Sequence, residues 1–312
     1  MKATKKPISS AALALLILLF FTGITQAETL PPELVPEAER TLKDVSASHS
    51  AWQHRATAGD NLGIGLYERP FTSGDMIYQP DLDIVRVEQS SDELFYFFTV
   101  RLFGESTRGG GLQGAYSIEF DRTLSGRGDL LVQVIDPTIE WSEKGITVYG
   151  DRDGDVGGDH PGKAENGFLG SGYDMLIELE GDKNAFARID PDDSSAVQFA
   201  VSKALLEDPD EFTWGAWADN GLNNPRWFDY NDLMSPHAAG SPIKGENYPL
   251  RGIYSLDNTC RLPVGTGQTG AIPGMCKIAV QPGVGGEKSC YCEITGFTKA
   301  DCASVGARWI CK

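Results

Sequence analysis

The sequence predicts an all-β protein: an antiparallel β-sandwich or jelly roll with a short N-terminal helical segment and a small disulfide-rich C-terminal tail. From residue 61 onward, short segments rich in Val, Ile, Phe and Tyr alternate with turns of Gly, Asp, Asn and Ser. This alternation is typical of strands joined by tight turns. No helical pattern of about ten residues separates the segments, which favours antiparallel sheets over a parallel α/β sheet.

Four regions follow from composition: a signal peptide (1–27), an N-terminal segment (28–59), a sandwich domain (60–245) and a Gly/Pro-rich, cysteine-stapled tail (246–312). The charged and alanine-containing stretch 36–54 begins with a proline, which predicts a short amphipathic helix. Residues 60–245 are numerous enough to bury one sizeable core. The expected strands have the sequences ELFYFFTVRLFG, AYSIEFD, DLLVQVID, GITVYG, GYDMLIELEG, AFARID and AVQFAVS.

Two of these strands show which side chains should face the core. In AYSIEFD, an alternating pattern places Tyr116, Ile118 and Phe120 on one face. In AVQFAVS, the residues that share a face are Val197, Phe199 and Val201. ELFYFFTVRLFG is apolar on both faces, which predicts a central strand.

The first 27 residues have the features of a secretory signal peptide. Three lysines precede an apolar run from Ala11 to about Ile24, and the small residues Thr25 and Ala27 occupy the positions that signal peptidase recognises. This run is too short for a spanning helix, and no later stretch reaches eighteen apolar residues, so we predict no membrane span. We expect a secreted or cell-surface protein.

The chain is strongly acidic, with a formal net charge of −17. Removal of residues 1–27, which hold three lysines and no acidic residue, makes the mature chain more negative still. Such a surface repels phosphate backbones and attracts cations, so we expect no nucleic-acid partner. The alternative explanation of the acidic composition is that it only keeps the protein soluble.

Six cysteines lie in the tail, and none lies before it. Their spacing lacks paired C-x-x-C motifs and the region has no histidine, which favours disulfides over a zinc site. An oxidising compartment outside the cytoplasm fits this interpretation. We favour a Cys260–Cys276 bridge, with the other four pairing among themselves: Cys290, Cys292, Cys302 and Cys311.

The segment YGDRDGDVGGDHPG, residues 149–162, follows a predicted strand and concentrates negative charge in a glycine-rich turn. Calcium takes about six to eight oxygen ligands in flexible geometry, and carboxylates are favoured ligands. The segment is not an EF-hand, because Val156 and Gly162 stand where glycine and glutamate are required. We expect a structural calcium ion, with a solvated acidic turn as the alternative. Its candidate ligands are Asp151, Asp153, Asp155 and Asp159.

A second acidic turn, DRTLSGRGD, runs from Asp121 to Asp129 between two predicted strands. It repeats the same spacing with hydroxyl side chains in place of two carboxylates. Asp121 and Asp129 are therefore candidate metal ligands as well. As a hairpin connection, however, this turn needs no metal.

An aromatic and amide-rich stretch, residues 212–242, is the candidate ligand-binding region. Trp214 and Trp217 should face opposite sides of a strand, so that one fills the core and the other is offered to a surface. Aromatic faces beside amide and carboxylate groups are the chemistry used to hold sugars, although core packing and ordinary turns use the same residues. The candidates are Trp214, Trp217, Asp219, Asn220, Trp227 and Tyr230.

Catalytic motifs are missing from the sequence, which has no G-x-S-x-G, H-E-x-x-H or P-loop pattern. A carboxylate pair for glycoside hydrolysis could come from residues such as Glu140 and Glu143, whose separation in space the sequence does not give. We therefore predict a protein that is not an enzyme.

The segments AYSIEFDRTLSGRGDLLVQV and WGAWADNG resemble secreted bacterial β-sandwich domains of the family 9 carbohydrate-binding-module and DOMON-like type. The resemblance covers about residues 60–245. It implies a sandwich that binds a sugar, or haem in some relatives, and often calcium. Our leading hypothesis is a binding module for carbohydrate or another envelope component. The alternative is a structural or assembly protein of the envelope or an extracellular polymer, and an extracellular hydrolase is third.

Overall fold

The computed structural model describes residues 30–44, 46–48, 68–72, 77–124, 128–152, 156, 173–221, 255–259, 261–266, 290–292 and 309–311. These residues are almost all strand, turn or extended chain, with almost no helix. None of them belongs to a helix with the length and apolar character needed to cross a membrane.

Fifteen strands form in the described residues. They are β1 (Arg40–Lys43), β2 (Glu68–Arg69), β3 (Ile84–Ser91), β4 (Phe95–Leu102), β5 (Ala115–Asp121), β6 (Leu130–Ile135), β7 (Ile146–Gly150), β8 (Met175–Ile177), β9 (Ala185–Asp190), β10 (Asp193–Ser202), β11 (Phe212–Asp219), β12 (Leu256–Asn258), β13 (Leu262–Val264), β14 (Cys290–Cys292) and β15 (Trp309–Cys311).

Two antiparallel sheets contain thirteen of these strands. The five-stranded sheet has the order β1-β3-β4-β10-β9. The eight-stranded sheet has the order β2-β12-β11-β5-β6-β7-β8, with β13 pairing with β11 as well. The prediction of an all-β protein with antiparallel sheets is confirmed, and β4 is a central strand between β3 and β10, as its apolar sequence predicts.

One hydrophobic core takes side chains from both sheets. The ring of Phe98 on β4 lies 4.9 Å from that of Trp214 on β11 and 5.4 Å from that of Phe120 on β5. The predicted inward residues of β5 and β10 are all in this core. Burying a large apolar side chain contributes about 1.5–3 kcal/mol. Phe98→Ala would remove contacts to both sheets and cost about 3–5 kcal/mol.

The N-terminal segment differs from the predicted helix over 36–54. Arg40–Lys43 is instead strand β1, which pairs with β3 and places Leu42 opposite Val87 in the core. Strand pairing along an open sheet edge outweighs the weak helical preference of this sequence. Residues 45 and 49–54 of the predicted helix lie outside the described residues.

Strands from beyond the predicted domain limits also join the sheets. β1 comes from the N-terminal segment, and β12 and β13 come from the predicted tail. Thr259 lies between β12 and β13, where its N–H donates to the Ala216 carbonyl and its hydroxyl accepts from the Ala216 N–H. A side-chain hydroxyl thus satisfies a buried strand donor at the break between the two short strands.

In the predicted cysteine-rich tail, β14 and β15 form a separate antiparallel pair. In its register Cys290 lies opposite Cys311, and Cys292 lies opposite Trp309. Cys260, Cys276 and Cys302 lie outside the described residues. The disulfides therefore stay a prediction.

Residues 30–38, here called the N-terminal strap, lie against the outer face of the five-stranded sheet. Val35 packs on a small apolar cluster formed by Phe95, Phe97, Phe186 and Ala200. The Trp141 indole N–H donates to the Pro32 carbonyl at 2.9 Å. These contacts fix the strap over the sheet before the chain enters β1.

Candidate functional site

The predicted ligand residues of β11 are buried. Trp214 and Trp217 face opposite sides of the strand, as predicted, and Trp214 belongs to the core shared by the two sheets. Trp217 and Asp219 lie on the outer face of the eight-stranded sheet, each with 1% of its surface exposed. Asn220 follows the strand and is half-buried. Trp227 and Tyr230 lie outside the described residues.

Asp219 lies in an environment that disfavours its charge. Its Oδ1 accepts a hydrogen bond from the Gly221 N–H at 2.6 Å, and its Oδ2 has no hydrogen-bond partner among the described residues. Burial raises the pKa of Asp219 to about 7, and the bond from Gly221 only partly opposes that shift. The carboxyl is therefore a titratable group near neutral pH.

A buried ion pair lies on the same outer face. Glu119 accepts hydrogen bonds from Arg261 Nη2 at 2.8 Å and from the Tyr173 hydroxyl at 2.6 Å. Burial, and then the negative charge of Glu119, raise the pKa of Tyr173 well above its ordinary value. Gly128 packs against the Tyr173 hydroxyl, with which a Cβ atom at this position would collide. This arrangement is closely packed and holds the sheet face together.

The described ends of the predicted metal turn at 121–129 are held by hydrogen bonds and one ion pair. Both carboxylate oxygens of Asp129 bind Arg122, at 2.7 Å to the backbone N–H and 2.6 Å to Nε. Asp121 Oδ1 accepts from the Thr123 N–H at 3.2 Å. Burial raises the pKa of Asp129, and Arg122 opposes that shift. These contacts match those of a hairpin connection that needs no metal.

The predicted calcium segment at 151–159 begins beside the 121–129 turn. The Asp151 N–H donates to the Asp129 carbonyl at 3.1 Å, and Asp151 Oδ2 accepts from the Val156 N–H at 3.1 Å. Asp153, Asp155 and Asp159 lie outside the described residues. Within the part of the chain that the structure describes, no three acidic, histidine or cysteine side chains are grouped to hold a metal ion. The calcium site over 151–159 therefore stays a prediction.

A polar groove of about 430 Å³ lies on the outer face of the five-stranded sheet, with the N-terminal strap as one wall. Four side chains, one from each of four adjacent strands, form a row across its floor. Strand register places Glu88 opposite Thr99, Thr99 opposite Gln198, and Gln198 opposite Arg188. At the usual spacing between strands, this row is about 14 Å long.

Several polar atoms of the groove lack partners. Thr99, Gln198 and Ser90 line it and are 5%, 6% and 2% exposed. Gln198 Oε1 accepts from Arg188 Nε, but among the described residues neither its amide nitrogen nor the two hydroxyls have a hydrogen-bond partner. The residues are mostly buried, but these three polar atoms reach the solvent of the groove, where a ligand can replace the water bound to them.

An ion-pair network makes one end of the groove rigid. Arg101 Nε lies 2.9 Å from Glu88 Oε2, and its Nη1 lies 2.9 Å from Asp193 Oδ2 and 3.2 Å from Asp190 Oδ2. Burial opposes the charge of Arg101, but these three carboxylates outweigh burial and raise its pKa. Glu88 Oε1 also lies 3.4 Å from Arg86 Nε, so three carboxylates and two guanidinium groups leave this end with one negative charge.

Arg188 occupies the other end of the row and is held from several sides. Its Nε donates to Gln198 Oε1 at 2.8 Å, and its Nη2 donates to the Glu33 carbonyl at 2.6 Å. The guanidinium lies over the Trp141 ring, 4.2 Å from the centroid, a distance at which a cation–π interaction is favourable. Trp141 also borders a shallow surface with the exposed Ile139.

The groove residues are not among those predicted from the sequence to bind a ligand. The sequence does contain a signal for them, because Thr99, Gln198 and Arg188 are polar residues within otherwise apolar strands. Their meeting depends on strand order, because β4 and β10 are adjacent although about 100 residues separate them along the chain.

Comparison with known proteins found no match among protein-family models, curated proteins or solved structures. The site must therefore be interpreted from its own geometry. A rigid groove with free hydroxyl and amide groups and bordering carboxylates is suited to binding a hydroxyl-rich ligand.

Proposed function

We propose that the chain is a secreted or cell-surface, non-catalytic carbohydrate-binding module with a β-sandwich fold. Its binding surface is the groove on the five-stranded sheet rather than the Trp214–Tyr230 stretch. The signal peptide supports secretion. The core shared by the two sheets, with Phe98 between Trp214 and Phe120, supports the sandwich.

The observation that carries this proposal is the set of free polar groups at Thr99, Ser90 and Gln198. These atoms reach solvent in the groove, so a ligand hydroxyl can replace water there, and each such hydrogen bond contributes about 0.5–1.5 kcal/mol. Trp141 and Ile139 border the neighbouring surface, where an apolar sugar face could pack. A structural calcium ion at 151–159 is part of the proposal, supported by the spacing of the aspartates alone.

The test is calorimetric binding of the intact mature chain to a panel of neutral and charged oligosaccharides. Thr99→Val and Ser90→Ala remove the free hydroxyls with little change in shape. Each variant should weaken glycan binding by about two- to tenfold. Thermal stability should change little, because neither hydroxyl makes a hydrogen bond to another described residue.

Thr147→Val is the matched control, since Thr147 lies on a strand of the other sheet. Its glycan binding should equal that of the wild type. Failure of every glycan in the panel to bind would overturn the proposal. Ordered oligomers in electron micrographs without glycan affinity would instead favour the assembly protein.

A further inference from the structure

Negative charge predominates in the groove. A cleft with low-dielectric walls concentrates the field of its lining charges, and this cleft has a surplus of two carboxylates. The surplus favours a ligand with positive charge. The lining contains four carboxylates, those of Glu33, Glu88, Asp190 and Asp192, and two guanidinium groups, those of Arg101 and Arg188.

Neither guanidinium group is positioned to hold an anionic ligand. Arg101 is paired with three carboxylates of the protein. Arg188 makes hydrogen bonds to Gln198 and Glu33, stacks on Trp141 and has only 4% of its side chain exposed. An anionic sugar would therefore meet the surplus of carboxylates without gaining a free cation.

Two carboxylates at the margin of the groove are open to a ligand. Asp192 is exposed, and within the described part of the chain its carboxylate has no partner. Its N–H donates to Asp190 Oδ1 at 3.1 Å, which holds the turn between β9 and β10 in place. The Glu33 side chain is 92% exposed and reaches Arg188 only at 3.3 Å.

We infer that the groove binds a glycan carrying free amino groups, a chain of unacetylated amino sugars. This inference rests on the proposed function and deepens it by naming the ligand class. Ammonium groups of the ligand pair with Asp192 and Glu33, while its hydroxyls meet Thr99 and Ser90. Charge and free hydrogen-bonding groups together distinguish such a glycan from a neutral one.

The experiment is calorimetry of the intact mature chain with five tetramers: glucosamine, N-acetylglucosamine, glucose, galacturonic acid and lysine. We expect the glucosamine tetramer to bind most tightly and the galacturonic acid tetramer most weakly. Raising sodium chloride from about 50 mM to about 500 mM should weaken glucosamine binding and leave glucose binding unchanged, because salt screens only the charged ligand.

Two variants test the carboxylates directly. Asp192→Asn and Glu33→Gln should each weaken glucosamine binding by about two- to fivefold and leave glucose binding unchanged. Glu33→Gln keeps a side-chain oxygen for Arg188 Nη1 and the bond from Arg188 Nη2 to the Glu33 carbonyl, so the strap stays in place. Glu178→Gln removes an exposed carboxylate next to β8 on the other sheet and should change neither affinity.

Equal affinity for glucosamine and glucose tetramers would overturn the inference and leave the proposed function intact. Tighter binding of the galacturonic acid tetramer than of the glucosamine tetramer would also overturn the inference and leave the proposed function intact. Tighter binding of tetralysine than of any sugar would overturn the glycan assignment in favour of a cationic peptide. No binding of any sugar would remove the proposed function, and the inference with it.

Discussion

Glu119 on β5 and Arg261, which lies 142 residues later in the chain, form a buried ion pair with Nη2 2.8 Å from Oε2. Their side chains are 2% and 7% exposed. The pair links the middle of the eight-stranded sheet to the segment just before β13. Its value for stability depends on both charges staying together, because a lone buried charge is costly.

Glu119→Ala should destabilise the protein by about 3–5 kcal/mol, since it leaves the Arg261 guanidinium buried without its carboxylate. Chemical denaturation with guanidinium chloride measures the loss. Glu178→Ala, at an exposed site, should stay within about 0.5 kcal/mol of the wild type. A loss below about 1 kcal/mol for Glu119→Ala would show that Arg261 finds another anion.

Asp219 should make stability fall as pH rises toward neutrality. Its folded pKa is raised from 3.8 to about 7 by burial, so the folded state binds a proton that the unfolded state has released. The stabilisation is complete below the unfolded value and is lost as pH rises through the folded one. Between pH 5 and pH 8 the loss amounts to about 2–3 kcal/mol.

Asp219→Asn removes this titration while keeping an acceptor oxygen for the Gly221 N–H. Denaturation at several pH values should show a flatter slope for the variant than for the wild type. Asp83, whose pKa burial raises to about 6 against hydrogen bonds from Tyr78 and Ser46, supplies the slope that persists. Identical slopes for both proteins would contradict the assignment.

Trp141→Phe should loosen the N-terminal strap. The change deletes the indole N–H that donates to the Pro32 carbonyl but keeps an aromatic ring beneath Arg188. We expect a loss of about 0.5–1.5 kcal/mol. Hydrogen exchange should become faster at the Glu39 amide, which follows the strap and donates to the Gln89 carbonyl, and the amides of β6 serve as the internal reference. Unchanged exchange at this amide would mean that the apolar contacts of the strap alone hold it.

Calcium should raise the thermal stability of the mature chain if the aspartates of 151–159 bind it. Mass action gives about 2.7 kcal/mol at a calcium concentration about 100 times the Kd. The paired substitution Asp153→Asn with Asp155→Asn should abolish the effect, because it removes two of the four candidate carboxylates. A melting temperature that ignores both added calcium and a chelator would rule out the ion.

The sequence contained enough to predict the strands and their inward faces but not the groove. Alternation alone assigns Tyr116, Ile118 and Phe120 to the core, because period two is a local property. The groove needs the register between Thr99 and Gln198, which local pattern does not fix. For the same reason β1 was predicted as part of a helix: its strand conformation depends on pairing with the open edge of β3, which the local sequence does not show.

The N-terminal strap is docked largely through its main chain. Trp141 and Arg188 bind the carbonyl oxygens of Pro32 and Glu33, which every residue type possesses. The side chains of Glu33 and Leu34 are meanwhile 92% and 84% exposed. Residues 33 and 34 can therefore be substituted without detaching the strap. Two adjacent substitutions would change the side chains on one wall of the groove, and with them its ligand selectivity.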